Sequence, residues 1–249
     1  MKQRRDWGLG IGAWLMGVAL LAGCAAPTAT TPAPDFTVAA TDLTAPLLTD
    51  LVAAYKDVGA APRVMVVAQS ALPAELAARN ADLGLTANPA PGQFATPLGY
   101  VAFAVVVHPN NPVNALSLAQ VRAIVAGEIT SWAQVGGPSA PVTVIVREDG
   151  SDGARALAFE TITRSALIAP TWAAARELLA QSQGALTLLP APEVSDLVKV
   201  IAVDTPPRAL IVAVAPVEPT GPARDFLAWA QSEAGQAVVA RRYEPLPAP

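Results

Sequence analysis

Short apolar, β-branched runs alternate along this chain with stretches whose apolar positions recur every three or four residues. The first pattern places a residue pair on opposite faces of a strand and the second lines one face of a helix. Residues 36–40, 63–68 and 81–86 read as strands. Between them, Leu47, Leu48, Leu51, Val52 and Tyr55 share one face of a helix that Thr44 caps, Pro46 enters and Gly59 ends, and residues 72–79 form a second helix entered through Pro73. Residues 99–108 are longer and wholly apolar, which predicts a strand buried on both sides or crossing between two lobes. Ser117 and Gln120 form a capping box for a helix with Leu118, Val121, Ile124 and Val125 inward and Gly127 at its end. A segment around Trp132 and a strand at 142–146 follow. Residues 171–181 read as a helix, 185–189, 198–203 and 209–215 as strands, and 222–231 and 234–241 as two closing helices. Alternation of this kind predicts an α/β fold, a parallel sheet with helices on its faces.

The strand at 142–146 runs into Arg147-Glu-Asp-Gly-Ser151-Asp-Gly153, where Asp149 or Ser151 can cap a helix carrying Leu157, Phe159 and Ile162 to about residue 163. A glycine-serine turn delivered to a helix N-terminus points unpaired backbone N–H groups outward, with the positive end of the helix dipole behind them. Arg147 adds a permanent, fork-shaped donor. Taken alone, such a turn more often merely caps a helix.

The ends of the chain change the picture. Lys2, Arg4 and Arg5 precede an apolar run from Trp7 to Leu21, which leads into Leu21-Ala22-Gly23-Cys24. This is the order of a bacterial lipoprotein signal, residues 1–23 being removed and Cys24 carrying the lipid; a plain signal anchor is the alternative. Cys24 is the only cysteine, so a secreted body has no disulfide to form. Residues 24–35, rich in Pro, Thr and Ala, have nothing to pack and read as a tether. Loss of Lys2, Arg4, Arg5 and Asp6 takes the formal charge from −4 to −6, which argues against nucleic acid or anionic lipid as the main partner. His108 is the only histidine, so metal and Cys-His chemistry lack ligands, and no cofactor is implied. Ser70 and Ser151 have no evident base, which leaves no nucleophile for an enzyme.

The order of motifs resembles the phosphate-type solute-binding proteins of bacterial ABC transporters. The resemblance is carried by Pro109-Asn-Asn-Pro112, by Leu118, Val121, Ile124, Gly127, Ile129 and Trp132 at their spacing, by the Arg147-to-Ser151 turn, by Ala81-Asp-Leu-Gly84, and by Phe226, Trp229, Ser232, Gly235 and Gln236 through Tyr243. It implies a two-lobed type II periplasmic-binding-protein fold, with mixed sheets flanked by helices and two crossover strands between lobes. Lobe 1 would comprise 36–98 and 207–249, and lobe 2 would comprise 99–206. It implies further a monomeric, lipid-anchored extracytoplasmic receptor that closes on an oxyanion or other small ligand and presents it to an ABC permease.

Carried over residue by residue, the implied ligand contacts are Arg147, Gly150, Ser151, Asp152 and Gly153, then Thr41, Asp42, Ser70 and Thr86. Several depart from the family pattern. The hydroxyl-rich first contact segment falls on Ala40-Thr41-Asp42-Leu43, the second keeps Ser70 without its glycines, the position after Thr86 is Ala87, and Asp152-Gly153 stands for a glycine-threonine pair. Asp42 and Asp152 thus fall near a spot meant for an anion. Like charges ~4 Å apart at an effective dielectric of ~20 repel by about 4 kcal/mol, roughly a thousandfold in affinity. The expectation is that the Asp152 carboxylate takes the anion position on Arg147, leaving the cleft selective for something other than phosphate, or empty. The alternative function is a relative that has lost binding and serves as a surface interaction or sensory module.

Overall fold

The computed structural model describes residues 36–147, 157 and 161–247. Cys24, the tether, the 150–153 turn and most of the helix expected after it therefore lie outside the described residues. Strands β1 (Thr37–Ala40), β2 (Arg63–Val66) and β3 (Leu83–Thr86) alternate with helices α1 (Ala45–Tyr55) and α2 (Leu72–Ala77). β4 (Phe94–Val107) and the short β5 (Ala115–Leu116) lead to α3 (Leu118–Ala126). β6 (Thr143–Arg147) and β7 (Leu167–Ala169) precede α4 (Trp172–Gln181), and β8 (Ala185–Pro190), β9 (Lys199–Val203) and β10 (Arg208–Ala215) precede α5 (Gly221–Gln231) and α6 (Glu233–Val239).

The strands lie in the order β2-β1-β3-β10-β4-β8-β6-β7, with β9 also against β4 and β5 against β9. β1 is parallel to β2 and β3, and β6 is parallel to β7 and β8, whereas β10 runs antiparallel to both β3 and β4. The sheet is thus mixed, with parallel strands where a helix makes the crossover. β4 changes partners midway. From Phe94 to Ala102 it pairs with β10, from Phe103 to Val107 it pairs with β8, and from Val105 to Val107 it has β9 on its other side. The chain passes between the two strand groups a second time through residues 204–207, between β9 and β10.

β4 starts five residues earlier than its apolar run predicts, because Thr96 and Pro97 read as a break. In this part β4 has β10 on one side only, so the missing N–H of Pro97 costs no ladder bond. β5 and β7, of two and three residues, were too short to carry a period. Thr44 occupies the position before α1 yet does not cap it: its hydroxyl accepts from Thr41 N (3.1 Å) and donates to Leu85 O (2.7 Å), joining the end of β1 to β3. The Ser117–Gln120 capping box is present, and Gly127 takes the left-handed conformation that ends α3, at φ 81°.

One apolar cluster runs through the body. Leu47, Leu48, Leu51 and Tyr55 of α1 cover Val38, Ala40, Leu83 and Leu85, while Trp132, Ile124 and Ile145 fill the region beyond β4. Leu72 and Leu76 cover the other sheet face at Ala39, Val212 and Val214. The C-terminal segment returns to the end of β1: Tyr243 is buried, donates to Leu43 O (3.3 Å), and burial pushes its phenol up to about 12. His108 closes a turn by accepting from Asn110 N (3.1 Å), and Asp82 accepts from Thr37 N (2.7 Å) to tie the starts of β3 and β1.

Candidate functional site

Loops that leave the carboxyl ends of parallel strands gather at one edge of a sheet, and ligands of open α/β sheets bind there. β1, β2 and β3 run in one direction, with Ala40 opposite Val66 and Leu85. The segments after them, 41–44, 67–71 and 87–88, therefore share one edge. They carry Thr41, Asp42 and Ser70, and Thr86 is the last residue of β3 itself. In the other strand group, Arg147 is the last residue of β6, level with Ala169 at the end of β7.

Arg147 and Asp42 meet. An Asp42 carboxylate oxygen accepts from one terminal guanidinium nitrogen of Arg147, and the other terminal nitrogen donates to Pro170 O just beyond β7. The guanidinium carbon lies 4.8 Å from the centroid of the Trp172 ring, a stacked cation on the first residue of α4. The two partners differ in exposure: the Arg147 side chain is 10% exposed and that of Asp42 is 44%. Among the described residues, Arg147 Nε and Trp172 Nε1 are buried without a hydrogen-bond partner. A charged donor is thus held from below by a ring, from the side by a carbonyl and at its outer end by a carboxylate from the opposite strand group.

The remaining candidates occupy other environments. Thr41 is fully buried, its hydroxyl 3.2 Å from that of Thr44, and its carbonyl accepts from Ala45 N (2.8 Å). Thr86 is also fully buried; its hydroxyl donates to Gln69 Oε1 (2.7 Å) and accepts from Asn88 N (3.0 Å), while Gln69 Nε2 donates to Asn88 O (3.0 Å). This triangle binds the loops after β2 and β3 together. Ser70 is exposed in the turn that enters α2. Gly150, Ser151, Asp152 and Gly153 fall outside the described residues. Asp152, the expected carboxylate partner of Arg147, lies outside the described residues; among the described residues Asp42 pairs with it, reaching it because β1 and β6 aim their carboxyl ends at the same place.

Trp172, Pro170 and Gln69 were not singled out from sequence, and Thr44 only as a helix cap. A signal existed for the first two: Thr171 caps α4 by accepting from Ala174 N (3.0 Å), so Pro170 and Trp172 flank a helix start directly after a strand. Asn111, in the Pro109-to-Pro112 motif, is buried and accepts from Val113 N (3.0 Å), which makes the motif a turn.

A model of the PBP superfamily domain matches residues 25–202, and the chain belongs to that superfamily. Among solved structures it is similar to a substrate-binding protein from Clostridium perfringens solved with bound phosphate, at 22% identity over 84% of this chain and 99% of that one, with a TM-score of 0.72. It is similar also to an ABC-type phosphate transport receptor from Vibrio cholerae, at 20% identity over 86% of this chain and 100% of that one, with a TM-score of 0.71. A reduced form of OxyR from N. meningitidis shares the architecture at 18% identity, 83% and 94% coverage and a TM-score of 0.59. The fold is the two-lobed type II periplasmic-binding-protein fold, with mixed sheets and flanking helices. A fold shared by proteins so differently named leaves function to the site.

Proposed function

We propose that this protein is the solute receptor of an ABC importer, non-catalytic and extracytoplasmic, holding a small ligand between lobes formed by 36–98 with 207–249 and by 99–206. The observation that carries the reading is the Asp42–Arg147 pair, which joins the carboxyl end of a strand in one group to that of a strand in the other. Ligand contacts would come from Arg147 and Asp42, with Ser70 at the exposed turn; Thr41 and Thr86 would set the loops that carry them. The parts of the site assigned to Gly150, Ser151, Asp152 and Gly153 rest on sequence alone. Closure follows from two strand crossings and a ligand that contacts both lobes only in the closed form. A permease would then read the closed monomer.

Thermal unfolding with phosphate, sulfate, molybdate and small zwitterions tests the reading. A ligand at a hundred times its Kd stabilises by about 2.7 kcal/mol, and for a body of this size that is a rise in Tm of roughly 5–10 °C. A flat panel would favour the second reading, a relative without a ligand acting as a surface interaction or sensory module. That reading draws on the same pair: Arg147 is already occupied from within.

Residues 1–35 supply the membrane attachment in this proposal, through lipid on Cys24 after removal of 1–23. In cells, Cys24→Ala should move the protein from the membrane fraction to the extracytoplasmic soluble fraction or arrest its processing. Unchanged membrane retention with normal processing would remove the lipid anchor.

A further inference from the structure

The receptor reading leaves open what charge the cleft accepts, and the inference drawn here rests on that reading. Arg147 is nine-tenths buried, and every described contact to its terminal nitrogens is already made: Pro170 O on one, Asp42 on the other. Asp42 is different, since nearly half of its side chain faces solvent. Its neighbours do not depend on the carboxylate. Thr41 and Thr44 fix the loop through their own bonds to each other, to Ala45 and to Leu85. The carboxylate is therefore a half-exposed anion on a short side chain, placed at the outer end of a buried cation.

We infer that Asp42 is the specificity-determining residue of the cleft, an internal anion on Arg147 that excludes phosphate-like dianions and selects for ligands that bring a neutral or cationic polar group to it. Two physical effects act in the same direction. A tethered group competes at an effective concentration in about the millimolar range, so a free anion must outbind it before touching the guanidinium. If displaced but still nearby, the carboxylate repels the anion; one like-charge contact at ~4 Å and an effective dielectric of ~20 weakens binding roughly a thousandfold. Asp42 and Arg147 together are formally neutral. A dianion adds two uncompensated charges to that site, whereas a neutral or zwitterionic ligand with a donor for Asp42 adds no net charge.

The test is calorimetric titration of the full mature chain with inorganic phosphate, comparing the natural protein with Asp42→Asn and Asp42→Ser. Both variants remove the charge, keep a polar side chain and alter an exposed position, and circular dichroism confirms their folding. The expected result is phosphate affinity at least about a hundredfold higher in both variants than in the natural protein, from loss of the competitor and of the repulsion. Equal or weaker binding in the variants overturns the inference; weaker binding would mean that the carboxylate accepts a proton-mediated bond from phosphate. No detectable phosphate binding in any of the three also overturns it, because something other than Asp42 then excludes the anion. The thermal panel on the natural protein judges the receptor reading separately: a rise with a zwitterion or neutral solute keeps the receptor even where this assignment of Asp42 fails.

Discussion

Phe226→Ala is expected to lower the free energy of unfolding by about 3–5 kcal/mol, the range for a fully buried aromatic replaced by alanine. Phe226, on α5, has no exposed surface and sits at the centre of an aromatic group. Its ring lies 5.1 Å from that of Tyr55 in an edge-to-face arrangement, 5.9 Å from Phe36 and 6.4 Å from Trp229. Truncation removes area from the core and breaks three ring contacts, each of which contributes about 0.5–1.5 kcal/mol beyond its area. The site cannot collapse easily, because α1, α5 and the start of β1 are each held by their own packing. Urea unfolding followed by tryptophan fluorescence measures the loss. A decrease below about 1 kcal/mol would mean that the C-terminal helices contribute little to the body's stability.

A loss of similar size, about 3–5 kcal/mol, is expected for Trp132→Ala, with a polar term added. Trp132 is 1% exposed and its indole nitrogen donates to Gly184 O at 3.0 Å. The acceptor stands just before β8, where a Cβ on Gly184 would run into Pro141 O, so the backbone is already in close approach. Removing the indole leaves a cavity and takes away one of two donors to Gly184 O, which keeps its bond from Thr143 N at 2.9 Å; Trp132→Phe, which restores most of the volume without the indole donor, should recover all but about 0.5–1.5 kcal/mol. Phe226 and Trp132 belong to one continuous apolar cluster. Both substitutions should therefore move the same unfolding transition, and a separate transition for each would show that the two strand groups unfold independently.

The alternation of strands and helices was legible because long, periodic elements bury one face: α1 shows all its predicted apolar positions inward, α3 shows Val121, Ile124 and Val125 buried with Leu118 half-buried, and Gly127 ends α3 as expected. What escaped the sequence is what periodicity cannot carry. β5 and β7 are too brief, and the first part of β4 contains a proline that only an edge position tolerates. Thr44 reads as a cap from its neighbours alone, yet the better acceptor, Leu85 O, arrives from a strand 41 residues away. In the site, Arg147 and Asp42 were both legible as candidates, but their pairing spans 105 residues and depends on where two strands end. Trp172 was hidden for the same reason: a tryptophan at the start of a helix carries no mark that it will support a guanidinium from another strand.

β10 is the last strand made and lies in the middle of its sheet, between β3 and β4. The partners it joins are emitted more than a hundred residues before it, so the first part of the chain waits with open edges while the segment from Phe103 to Val203 has all its own strand neighbours. On a chain that emerges from its N-terminus, the interior segment can finish first and the outer one only when residues 208–215 arrive. A premature stop before Arg208 would leave β3 and the front of β4 as unsealed ribbons, the kind of edge that quality-control proteases and aggregates exploit.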